Sequence, residues 1–155
     1  LILLFLMVIL LPAKFIKLTA KDFFLFCQEM KDFRIERTID GTILIMAPTG
    51  SETGNFNAEV IIEVGIWNKE DKSGKVFESN AAFTFPDSSV KSPYAAWIAL
   101  ERWKVLSKED RERFAYISPD FVLEIRSKTD SLPALKKRWR LISPVGSSWP
   151  GSSIQ

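Results

Sequence analysis

PDFVLEIRS, residues 119–127, sets two charged residues into an otherwise apolar strand pattern. Pro119 and Asp120 punctuate its start. Beyond them Phe121, Leu123 and Ile125 alternate with Val122, Glu124 and Arg126, the period of a β-strand covered on both faces. The run predicts the central strand of a sheet. Glu124 and Arg126 then share one face, about 7 Å apart along the strand. A carboxylate can hold Mg²⁺ and a neighbouring cation can stabilise charge on a phosphate. From these residues alone a salt-bridged pair on a partly exposed strand is the favoured reading.

Outward from that strand, the chain alternates helical and extended patterns. TAKDFFLFCQEMKD, from Thr19, reads as a capped amphipathic helix, with Phe23, Phe26, Cys27 and Met30 on one face. FRIERTIDGTILIMAP reads as a hairpin turning at Asp40-Gly41. Pro48 to Asn57 is turn-rich. A second helix is expected from about Ala58 to Lys72, largely buried through Val60, Val64 and Trp67. KVFES, AAFTF and AAWIAL are further strands, and Ser107 caps a short charged helix. SLPALKKRWR reads as a final basic helix. The pattern predicts an α/β (α+β) sandwich around one sheet.

The ends differ in character. Residues 1–13 form an apolar lead-in whose uninterrupted run, Leu1 to Leu11, is about half the length a spanning helix needs, so no stable membrane partner is expected. The domain is expected over 14–142, with Met7 a plausible initiator. Residues 143–155, SPVGSSWPGSSIQ, carry no charge and no periodicity and read as an irregular tail.

Composition narrows the chemistry. The 155 residues contain no histidine, which removes Ser-His-Asp and Cys-His catalysis and most zinc sites. Cys27 is the single cysteine; a disulfide framework is excluded, and a reducing cytoplasm is the expected location. Formal net charge is only +2, so any nucleic-acid surface must be a local patch. Arg126, Lys128, Lys136, Lys137, Arg138 and Arg140, opposed only by Asp130, form the one such cluster, although a basic helix is more often simply solvated. Glu59 and Glu63 lie on an acidic helix stripe that is more readily a solvated face than a metal site. PTGSETGN lacks the Gly-Lys-Ser/Thr ending of a phosphate loop and is adequately a turn before a helix.

Several ordered stretches carry a family resemblance: KLTAKDFFLFCQEMKDFRIERTIDGTILIMAPTG, SETGNFNAEV, GKVFESNAAFTFPDSSVKSPYAAW and PDFVLEIRSKTDSLPAL. Together, over about residues 14 to 136, the chain resembles the Uma-type restriction endonuclease family of the PD-(D/E)XK nucleases. The resemblance implies a restriction-endonuclease-like core, a mixed sheet flanked by helices. It also implies Mg²⁺-dependent hydrolysis of DNA phosphodiesters, and leaves a homodimer open. Glu36 matches an early glutamate of the family, Glu124 its central glutamate and Ser127 the serine closing that strand. Arg126, Lys137 and Arg138 are the implied cations of the site, Arg138 standing where the family has lysine.

Two departures imply impairment. The family's metal-binding aspartate follows Ser-Pro, where this chain has Tyr94 after Ser92-Pro93, and a phenol is a poor Mg²⁺ ligand. Asp120, about 13 Å along the strand from Glu124, is too far away to substitute, which leaves Asp87 as the nearby loop acid. After the last helix, SWPGSSIQ stands where the family has a strand ending Ile-Asp-Pro, and a frameshift near Lys136 would account for it. The implied function is an impaired Mg²⁺-dependent DNA endonuclease, or an inactive DNA-binding or interaction module, or a non-functional gene product.

Overall fold

The computed structural model describes residues 8–125. Its elements are strands β1 (Val8–Leu11), β2 (Arg34–Arg37), β3 (Ile43–Met46), β4 (Gly74–Glu78), β5 (Phe83–Thr84), β6 (Val90–Lys91), β7 (Ala95–Ala99), β8 (Ala115–Tyr116) and β9 (Phe121–Leu123). The helices are α1 (Ala20–Glu29), α2 (Ser51–Asp71), α3 (Leu100–Lys104) and α4 (Lys108–Glu112).

Local chemistry starts each early element. The Thr19 hydroxyl oxygen accepts from the Asp22 amide at 3.1 Å while the hydroxyl donates to the Asp22 carboxylate at 2.6 Å, so residue and cap hold each other at the first turn of α1. Ser107 and Asp110 repeat the arrangement at α4. Between β2 and β3 the Gly41 amide donates to the Thr38 carbonyl, and Gly41 takes φ +86°, a left-handed conformation that glycine adopts without steric cost. The Asp40 carboxylate ties the loop by accepting from the Thr38 and Thr42 hydroxyls at 2.5 and 2.8 Å.

Among the described residues the strands form a larger and a smaller sheet, where the sequence pattern predicts one. Six strands run in the order β1-β3-β2-β6-β5-β8, all neighbours antiparallel except the parallel β5–β8 pair; three run β4-β7-β9, antiparallel. The apolar lead-in contributes β1, paired with β3 from Val8↔Met46 to Leu11↔Ile43. Phe23 of α1 packs with Ile35, Ile43, Ile45 and Val90 into the core beneath the larger sheet. Burying such side chains is worth about 1.5–3 kcal/mol each, and this cluster fastens α1 to the sheet.

Two further expectations are corrected. The second helix begins at Ser51, not Ala58: Gly50 is its cap without any side-chain bond, and the Gly- and Asn-containing stretch that read as a turn is its first two turns. It is also not largely buried, since Ile62, Ile66 and Trp67 are about half exposed among the described residues. Among the described residues FVLEIRS contributes β9, which pairs with β7 over Phe121–Leu123. No helix among the described residues is long and apolar enough to cross a membrane.

Candidate active site

Strand β2 carries Arg34 and Glu36 two residues apart, so their side chains share a face of the sheet. Glu36 is 2% exposed. Its Oε1 accepts from the Ser92 amide at 2.9 Å and from Arg34 Nη2 at 3.3 Å, which supplies the bonding a buried carboxylate requires. Ser92 directly follows β6, and its carbonyl in turn accepts from Arg34 Nη2.

From Ser92 the chain passes through Pro93 and Tyr94 into β7, joining one sheet to the other. Strands β7 and β9 pair with Ala95 opposite Leu123; carrying that register on by one residue places Tyr94 opposite Glu124. Arg34 meets both. Its Nη2 lies 4.0 Å from Glu124 Oε1, and its Cζ lies 4.8 Å from the centre of the Tyr94 ring, a cation–π distance. Glu36, Tyr94 and Glu124, distant in sequence, thus converge on one guanidinium. Arg34 is the residue that reading by motif missed. The signal was present, because Arg-Ile-Glu on a strand puts arginine and glutamate side by side.

The remaining expected residues divide. Arg126, Lys137, Arg138, the rest of the basic cluster and the 143–155 tail lie outside the described residues. Asp120 accepts from the Ala99 amide at 2.9 Å and from Arg102 at 2.5 Å, which engages it at the start of β9. Asp87 holds its own turn by accepting from the Ser89 amide and hydroxyl at 2.9 and 2.6 Å. Glu59 and Glu63 are exposed, as a solvated stripe would be. A cleft of about 290 Å³ opens beside Arg34 and Tyr94, lined also by Lys31, Asn57 and Asn80.

Does Mg²⁺ fit here? The ion takes near-octahedral oxygen coordination, usually one or two carboxylates plus waters or substrate oxygens. The described residues contain no group of three or more carboxylate or thiol ligands suited to a metal. The two carboxylates that converge already flank the Arg34 guanidinium, and the third corner is the Tyr94 phenol. Among the described residues this donor set does not fit the ion.

Comparison with known proteins agrees with the architecture. A family profile described as "Putative restriction endonuclease", Uma2, matches residues 20–141. The chain belongs to the Uma2 family. A crystal structure of a protein from Anabaena variabilis ATCC 29413, described as a putative nuclease belonging to DUF820, superposes with a TM-score of 0.58 at 18% identity, covering 81% of this chain and 67% of that one. The two share a fold, which in this chain is a mixed α+β arrangement with a six-stranded sheet flanked by helices. No curated protein matches the chain.

Proposed function

We propose that this chain is a DNA-binding, cytoplasmic member of the nuclease family in which phosphodiester hydrolysis is impaired. The carrying observation is the cation–π contact of Arg34 with Tyr94, at the position where the resemblance places the metal-binding aspartate. DNA would enter the cleft beside these two residues, where Lys31 and the amides of Asn57 and Asn80 can meet phosphate or base edges. Arg126, Lys137 and Arg138 are the cations assigned to the phosphate backbone, an interaction that weakens steeply with salt. Glu36 serves as a positioning residue, since its carboxylate fixes the Ser92 amide and the Arg34 fork rather than facing solvent.

The test is a plasmid-nicking series with Mg²⁺ or Mn²⁺ alongside a gel-shift titration. The unmodified chain is expected to retard DNA in a salt-sensitive way without nicking it. Metal-dependent nicking by the unmodified chain, lost in Glu124→Ala, would overturn the impairment. Absence of any retardation at low salt would overturn DNA binding.

A further inference from the structure

The cleft of about 290 Å³ beside Tyr94 has walls of two kinds. One kind is flat or apolar: the rings of Tyr94 and Phe33, with Met46 at the end of β3. Phe33 is left 43% exposed there. The other kind is polar, the carboxamides of Asn57 on α2 and Asn80 just past β4, with the exposed Lys31 beside them. Asn57 stands out among these. Its Oδ1 is shut off from water and accepts no hydrogen bond among the described residues. Such an acceptor has lost its hydration without gaining a partner. Its torsion onto the planar amide has only a broad preference, so the carboxamide can turn toward the cleft without breaking a bond to that oxygen.

Size and chemistry together select the guest. The volume lies just under the usual ligand-pocket range of about 300–1,000 Å³, which suits one ring system and not a base pair. A carboxamide offers a donor and an acceptor side by side, and the Watson–Crick edge of a base offers the matching pair. Base pairing covers that edge, so Asn57 can read it only in a base that has left its partner. We propose that this cleft receives one unpaired nucleobase of a DNA strand: its ring stacks on Tyr94, the Asn57 carboxamide bonds its Watson–Crick edge, and Lys31 meets the adjoining phosphate. The Arg34 guanidinium, with Cζ 4.8 Å from the centre of the Tyr94 ring, steadies that ring from one face. Every base has a flat π-face, so the selection is for unpaired over paired bases and not for sequence. Tyr94 then has a use of its own, as a stacking platform.

This rests on the DNA-binding reading, and the test separates the two. Binding is measured at low salt for two single strands of equal length. One is made entirely of abasic residues; the other is identical except for one central 2-aminopurine, whose fluorescence falls when its ring stacks. The base-bearing strand should bind about tenfold more tightly and should lose fluorescence on binding. Tyr94→Leu should remove the fluorescence loss. Asn57→Ala, which takes no hydrogen-bond partner from the fold at Oδ1, should lower the preference for the base about fivefold. A duplex with one unpaired central base should likewise bind more tightly than the fully paired duplex. Equal affinity for the two single strands, unchanged fluorescence, or a preference indifferent to Asn57→Ala would each overturn this inference and leave backbone binding standing. Failure to bind either strand at low salt would overturn DNA binding itself, and this inference with it.

Discussion

The guanidinium of Arg34 lies over the ring of Tyr94, with Cζ 4.8 Å from the ring centre, and this contact connects strand β2 with the segment that leads from β6 into β7. Arg34 also reaches Glu36 on its own strand and Glu124 just past β9. One side chain therefore spans both sheets. Its removal would take a cation from beside two largely buried carboxylates.

Arg34→Ala is expected to cost about 3–5 kcal/mol, the usual consequence of removing one partner from a buried ion pair. Tyr94→Phe keeps the ring face and should cost less than about 1 kcal/mol. Urea denaturation of the two variants at neutral pH checks this. An Arg34→Ala loss below about 1 kcal/mol would mean that water already compensates the cluster.

Acid stability should depend on two turn carboxylates. Hydrogen bonds from the Thr38 and Thr42 hydroxyls hold the Asp40 carboxyl below the usual carboxylate range. Partial burial alone would raise Asp87, but the hydrogen bonds from the Ser89 side chain and amide, with the Lys91 charge, bring it net below that range. A carboxylate depressed in the folded state contributes stability above its unfolded value, about pH 4, and the contribution is lost as pH falls through the folded value. Unfolding midpoints measured from neutral pH down to about pH 3 should therefore fall less steeply in Asp40→Asn with Asp87→Asn than in the unmodified chain. An unchanged slope would show that the two turns are not part of the acid response.

Cys27 should be a sluggish thiol. Burial pushes its pKa up to about 11 from 9.0, only partly offset by the nearby Arg37 charge. At neutral pH that leaves about a hundredfold less thiolate than an unperturbed cysteine, and the thiolate is the reacting species. Alkylation by iodoacetamide should be slow in the folded chain and fast in guanidinium chloride. The same shift lowers stability between about pH 9 and pH 11, where the unfolded thiol ionises before the folded one.

Gly74 pairs with Ala99 across β4 and β7, and the Trp97 indole lies against it so closely that a methyl group there would overlap the ring. The indole cannot yield freely, since its Nε1 donates to Asn68 Oδ1 at 2.8 Å and its ring meets Trp67 edge to face. Gly74→Ala is expected to destabilise by about 1–3 kcal/mol, read from the thermal midpoint. A neutral result would mean that α2 shifts with the indole.

What the amino-acid sequence determined by itself are the parts made by neighbours along the chain. The Thr19 cap of α1, the Ser107 cap of α4 and the Gly41 turn each close hydrogen bonds within a few residues, so residue type and spacing announce them. The start of α2 escaped because Gly50 caps it without a side-chain bond, leaving no local mark. The site was legible only as separate residues, Glu36, Tyr94 and Glu124, named by motif and by resemblance. Tertiary structure decided that they meet, that the meeting point is Arg34, and that the β7–β9 register brings Glu124 within 4.0 Å of the larger sheet's arginine. The physical reason is register: which residues oppose each other depends on strand pairings that close long loops, and on a buried charge finding its partner, neither of which any short window of sequence contains.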